Sequence, residues 1–224
     1  GQVSALPGFD AGAWWVQDAA AALPARMLGE VRGLRVLDLC AAPGGKTLQL
    51  AAAGGAVTAL DVSAARLRRL EANLTGLAAR VVAADALQWA PDAPFDAILL
   101  DAPCTASGTI RRRPDLPHLR AGRDVGPLIE LQAALLARAW DWLAPGGRLV
   151  YATCSLLPAE GEAQVAAFVA AQPEAARVHA DAGALGVEPG WIDGEGALRT
   201  RPDFWPERGG VDGFYAATLE RRAG

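Results

Sequence analysis

The chain has 224 residues, is 52% hydrophobic and carries a formal net charge of −4 at pH 7. That is enough apolar material for one domain with its own core, and no apolar run reaches the roughly 18 residues that a bilayer span needs. The start of the chain lacks a secretory signal, and the acidic balance excludes a uniformly basic nucleic-acid binder, so any polyanion contact is expected to be local.

Taken in chain order, Asp18 is expected to cap a helix that Pro24 interrupts. Residues 34–39 read as a strand, followed by a Gly-rich turn and a helix over 47–53. A second strand, 56–60, ends in Asp61 and precedes a helix over 64–74; a third, 80–83, leads to Asp85. Residues 95–100 form a strand leading to Asp101. A long helix over 127–143 is broken by Pro145, Gly146 and Gly147 before a strand at 148–153. Residues 181–210, rich in Gly and Pro, are expected to be surface loops, and 213–221 a late strand. Strands alternating with helices imply an α/β fold with a mostly parallel sheet covered on both faces.

In such sheets ligands bind beyond the carboxyl ends of the strands, where strand order reverses. Cys40, Asp61, Asp85, Asp101, Cys104 and Cys154 all fall at those ends. The three cysteines form no CxxC pair, which disfavours a zinc site or disulfide framework. The chain is therefore expected to be a soluble, cytoplasmic monomer with no metal and no membrane attachment.

The turn Cys40-Ala41-Ala42-Pro43-Gly44-Gly45-Lys46 places small residues between a strand and a helix, where backbone N–H groups can approach a ligand. It is not a P-loop, because Cys40 stands where that motif needs glycine. Asp61 lies roughly 20 residues on, where a carboxylate reaches ribose hydroxyls. Asp61 and Asp85 taken singly read equally well as helix caps. With the turn they favour an adenosine ligand. Lys46, the only lysine in the chain, steadies a cofactor or a catalytic carboxylate, or is simply solvated.

Residues 38–47 (DLCAAPGGKT), 101–115 (DAPCTASGTIRRRPD) and 149–155 (LVYATCS) resemble the signature motifs of the Sun/Fmu family of RNA cytosine-C5 methyltransferases. Val16-Gln17-Asp18, residues 61–67 (DVSAARL) and Asp212-Gly213-Phe214 extend the resemblance over nearly the whole chain. It implies a Rossmann-like S-adenosylmethionine-dependent methyltransferase fold with a late antiparallel strand, its catalytic domain spanning 31–224 with residues 1–30 packed on it. The helical N-terminal RNA-binding domain usual in bacterial members is expected to be absent. The resemblance further implies that residues 40–46 cradle S-adenosylmethionine, that Asp61 holds its ribose and Asp85 its adenine side, and that Asp101 lies near the reacting end. Cys154 would be the nucleophile, and Cys104 would assist product release.

Cytosine C5 is too weak a nucleophile to take a sulfonium methyl unaided. A thiolate adding to C6 makes C5 enamine-like, which is covalent catalysis and calls for a thiol whose pKa is lowered from about 8.5. Asp101 would hydrogen-bond the N3 or amino edge of the base. If the strands before Cys104 and Cys154 are neighbours, about 4.8 Å apart, both thiols reach one base; spacing alone does not say which attacks. Cys40 is expected to pack beneath the turn. Arg111, Arg112 and Arg113 are the densest positive cluster and are expected to hold RNA phosphates, with Phe204, Trp205 and Trp14 as candidate stacking surfaces. The implied substrate is small-subunit rRNA. The alternatives are a tRNA cytosine, a small-molecule methyltransferase, which leaves the paired cysteines unexplained, and a non-catalytic RNA-binding or assembly module.

Overall fold

The computed structural model describes residues 2–9, 11–120 and 124–223. In chain order the elements are α1 (Ala19–Met27), β1 (Arg35–Leu39), α2 (Gly45–Ala52), β2 (Ala56–Asp61), α3 (Ala64–Asn73), β3 (Ala79–Ala83) and β4 (Phe95–Asp101). Then come α4 (Leu116–Arg120), α5 (Gly126–Asp141), β5 (Leu143–Thr153), α6 (Glu162–Ala171) and β6 (Ala175–Val178). The chain ends with α7 (Ala182–Leu185), β7 (Leu198–Arg199) and β8 (Tyr215–Arg221).

The strands run β3-β2-β1-β4-β5-β8-β6, with β7 pairing β8 off this path. The first five are parallel; β8 lies antiparallel to β5 and β6. Strand order therefore reverses between β1 and β4, the position that opens a crevice at the carboxyl edge. The sheet is covered on both faces, so residues 97–100 of β4 read as a continuous apolar run rather than an alternation. Ile98 and Leu100 face the cluster containing Leu135, Leu136 and Trp140 of α5, while Ala97 and Leu99 face the one containing Leu23 of α1 and Leu50 of α2. No helix among the described residues is long and apolar enough to cross a membrane.

Three local expectations need correction. Pro24 does not interrupt α1: the helix accommodates it and runs on to Met27, with Leu23, Pro24 and Ala25 all buried, so packing offsets the hydrogen bond the proline cannot make. Pro145, Gly146 and Gly147 do not precede β5 but loop out within it, since Phe95 pairs with Leu143 and Ala97 with Arg148. Residues 181–210 are not mere surface loops. They contribute β7, and Leu185, Trp191 and Leu198 bury themselves against the sheet. β6, absent from the sequence reading, closes the far edge.

Candidate active site

The turn after β1 begins with Cys40 at φ 64° and reaches Gly44 at φ 108°. A Cβ on Gly44 would lie 2.6 Å from Leu70 Cγ, so glycine is required there for both conformation and space. Asp61 ties the turn to β2: its Oδ2 accepts from the Ala42 N–H at 3.0 Å and its Oδ1 from Ser63 N–H at 2.8 Å. An ionised carboxylate offers about four acceptor sites, so Asp61 retains capacity for a ligand hydroxyl. Asp85 accepts from Leu87 N–H at 2.9 Å. Between them lies a cavity of about 310 Å³ lined by Cys40, Asp61, Val62, Asp85, Leu87 and Leu131, among others. Apolar walls with carboxylates at the rim suit a flat base joined to a ribose, so the residues present fit an adenosine-bearing cofactor. Cys40 itself is pushed far above the usual thiol range by burial and then by Asp61, which leaves it a neutral packing group.

At the strand-order reversal, Lys46 Nζ donates to Asp101 Oδ2 at 2.8 Å and sits 5.2 Å from the centre of the Phe214 ring. Burial opposes the ammonium, but the Asp101 carboxylate outweighs it and raises the lysine above its ordinary value, with Asp38 and Cys154 contributing. Asp38, beneath the turn, accepts from the Thr47 hydroxyl at 2.6 Å on one oxygen and has no partner on the other among the described residues. Burial pushes Asp38 up to about 7, against the pull of Thr47 and Lys46.

The two remaining cysteines meet. β4 pairs β5 through Asp101 opposite Ala152, and beyond that pair Cys104 Sγ and Cys154 Sγ stand 3.5 Å apart. Cys104 is raised well above the thiol range, first by its contact with Cys154 and then by burial. The Cys154 carbonyl accepts from Gly108 N–H at 3.0 Å, and the Gly108 carbonyl accepts from Gly213 N–H at 2.8 Å. A Cβ on Gly108 would fall 1.9 Å from the Gly213 oxygen, so this backbone contact admits only glycine.

Residues 25–220 match the family described as 16S rRNA methyltransferase RsmB/F. The chain belongs to that family. It is 45% identical, over 98% of its length, to the ribosomal RNA small subunit methyltransferase B of Klebsiella pneumoniae (strain 342), and covers 49% of that relative. The chain thus spans about half the length of the curated relatives it matches first. Among solved structures it resembles NSun6 from Pyrococcus horikoshii with SFG at 29% identity and TM-score 0.81, covering 100% of this chain and 57% of that one. It also resembles a methyltransferase homolog protein from Pyrococcus horikoshii at 32% identity and TM-score 0.74, covering 98% and 72%. The Rossmann-like methyltransferase fold follows from these likenesses and from the strand order.

Not every expected site residue faces the crevice. Arg111 donates to Asp18 Oδ2 at 2.8 Å, and Arg112 forks onto Asp212. Asp18 also caps α1 and accepts from Asp212 N–H, so the matching segments around residues 18, 112 and 212 form one knot. Arg113 is exposed, with no ion pair among the described residues. Phe204 and Trp205 pack on Trp191 with ring centres 4.8 and 4.7 Å away. Trp14 lies instead in a hollow with Phe9, Ala72 and Leu77.

Sequence reasoning missed Glu160, Gln132 and Arg199. Gln132 had a readable signal, as a polar residue on the buried stripe that Leu135, Leu136 and Ala139 define along α5. Arg199 forks onto Glu162 and donates to the Ser155 carbonyl at 2.6 Å. Glu160, fully buried, sits between the two cysteine loops.

Proposed function

We propose that this chain carries the catalytic centre for methyl transfer from S-adenosylmethionine to C5 of a cytosine in RNA, small-subunit rRNA in the first place, through a covalent Cys154–C6 adduct. The observation that carries the reading is the 3.5 Å contact of Cys104 and Cys154 beside the Lys46–Asp101 pair. The family match and the named relatives support the substrate class.

Asp61, Asp85 and the turn 40–46 would hold the cofactor, which supplies an electrophilic methyl when bound. Cys154 as thiolate adds to C6 of the base, and the electron pair driven onto C5 takes the methyl. The C5 proton then leaves, and the C6–sulfur bond breaks to regenerate the ring. Lys46 holds positive charge beside Asp101 and within reach of the Cys154 charge. Asp101, fixed by Lys46, is the group to meet the N3 and amino edge of the base.

The thiol pair suggests why the roles divide. Contact with the Cys154 sulfur is the first cause of the raised Cys104 value and burial the second, so Cys104 is the thiol of the pair that resists ionisation. Once Cys154 is bonded to carbon, a neighbouring thiolate no longer opposes ionisation of Cys104, which gives up its own proton to solvent and, as thiolate, takes up the C5 proton as the C6–sulfur bond breaks. Within the 111–113 cluster, Arg113 is exposed and makes no ion pair among the described residues, and it would meet RNA phosphate beside this loop.

Labelled S-adenosylmethionine offered with unmodified small-subunit rRNA, and with tRNA in parallel, tests the reading. We expect 5-methylcytosine at one rRNA position with wild type and none with Cys154→Ala. Label on tRNA alone would change the substrate; label on any atom other than cytosine C5 would overturn the chemistry.

A further inference from the structure

We propose that Glu160 is a positioning residue whose carboxylate clasps the loops bearing Cys104 and Cys154 and thereby sets the separation of their sulfurs. Glu160 lies in the short turn that follows β5 and precedes α6. Its Oε1 accepts from Thr105 N–H at 2.9 Å and from Gln132 Nε2 at 3.0 Å. Its Oε2 accepts from the Thr105 hydroxyl at 2.6 Å and the Ser155 hydroxyl at 2.5 Å. Thr105 directly follows Cys104, and Ser155 directly follows Cys154. One side chain therefore holds the residue next to each sulfur.

The clasp extends further along both loops. Gln132 Nε2 also donates to the Pro103 carbonyl at 2.9 Å, so Cys104 is held on both sides. The Glu160 carbonyl accepts from the Tyr151 hydroxyl at 2.8 Å and the Thr153 hydroxyl at 3.3 Å, on the strand that delivers Cys154. Thr105, Ser107 and Ser155 share a hydroxyl cluster at 3.2–3.3 Å.

Each of the four donors to the carboxylate is neutral. A buried carboxylate held only by neutral donors is expensive to desolvate, and a core at this position would be cheaper built from apolar residues. What a carboxylate uniquely offers is about four acceptor sites at one point, matching the four donors that reach it from three separate segments. Removing it would leave a buried N–H, a buried amide and two hydroxyls seeking acceptors, which forces the loops to move.

Glutamine keeps the shape and fills the same roles if the hydroxyls turn. Its oxygen accepts from Thr105 N–H and Gln132, and its amino group donates to the Thr105 and Ser155 hydroxyl oxygens, both of which accept as well as donate. Alanine has neither option.

The test has one arm that depends on the proposed methyl transfer and one that does not. Diamide closes two thiols into a disulfide, its diazene taking up two hydrogens to become the hydrazine, and needs neither RNA nor cofactor. Formation of the Cys104–Cys154 cross-link is followed by peptide mass spectrometry. We expect Glu160→Ala to close it on the order of tenfold slower than wild type, and Glu160→Gln to stay within about threefold. In methyl transfer, Glu160→Ala should lower kcat on the order of 100-fold, with KM for both substrates nearly unchanged and the burst amplitude retained. A lowered amplitude with an unaltered rate constant would mean that Glu160 serves folding alone, and would overturn the proposal. So would disulfide closure at the wild-type rate in Glu160→Ala. Should that variant fail to fold, Glu160→Asp keeps the charge but withdraws the carboxylate by one methylene; the same slowing is expected, and a wild-type rate again overturns the clasp. Wild type that closes the disulfide but transfers no methyl would refute the proposed function and leave the clasp standing.

Discussion

On the β1–β3 side of the crevice each functional group stands at or just past the end of its own strand and is fixed by backbone N–H groups of the adjoining turns: Asp61 by Ser63 and by Ala42 of the turn after β1, Asp85 by Leu87. On the β4–β5 side the cysteines are held by residues far away in sequence, among them Gln132, Gly108 and Gly213. On the proposed function the first side is a pre-formed receptacle for the cofactor, in which a single change perturbs binding locally. The second is an assembled geometry, in which a change anywhere in the network shifts the two sulfurs. If that contrast holds, damage to the cofactor side should fall mainly on affinity, and damage to the cysteine side mainly on the rate of the bound complex.

The largest effect belongs to Cys154→Ala, expected to lower methyl transfer by at least about three orders of magnitude while leaving cofactor affinity, read by calorimetry, unchanged. Comparable loss of cofactor binding would break the contrast. Lys46→Met comes next, because Lys46 bridges the two sides. Losing its ion pair should cost about 2 kcal/mol in urea unfolding, less than a fully buried pair because Asp101 is partly open to solvent. It should also lower kcat on the order of 100-fold, since Asp101 loses its fixed partner. Gly44→Ala forces a Cβ against Leu70 at a left-handed φ. It should cost about 1–3 kcal/mol and appear as weakened cofactor binding, with kcat at saturation largely preserved.

The smallest effect concerns pH. Asp38 moves from 3.8 in the unfolded chain to about 7 in the folded one, chiefly through burial. The folded state therefore binds this proton more tightly. Its contribution is full below the unfolded value and is lost as pH rises from about 4 to 7, then flat. Asp38→Asn should remove that slope, so that the urea midpoints of variant and wild type converge at pH 4 and separate in favour of the variant at pH 8. A parallel offset at both pH values would refute the assignment.

The same contrast explains how much the sequence revealed. Asp61, Asp85 and Asp101 were legible because strand ends can be read from apolar runs, and a parallel sheet gathers those ends on one edge. The cysteine pair was legible as motif. Its mode of support was not: Glu160 follows Pro158 and Ala159 in a segment that reads as solvated, and nothing local says that its four donors lie at residues 105, 132 and 155. Arg111 and Arg112 looked like free cations, because Asp18 and Asp212, which receive them, are about 100 residues away on either side. Residues 181–210 hid their buried Leu185, Trp191 and Leu198 because the spacing follows neither helical nor strand period. Composition marked the loops; only tertiary packing shows that they cover the sheet.

The central claim is the division of labour between the two cysteines, and trapping measures it most directly. Cys104→Ala, incubated with S-adenosylmethionine and unmodified small-subunit rRNA, should accumulate a protein–RNA adduct that survives denaturing electrophoresis, with the methyl group already on the bound cytosine. Cys154→Ala under the same conditions should form none. An adduct that accumulates in Cys154→Ala and is missing from Cys104→Ala would contradict the account by reversing the roles of the two sulfurs.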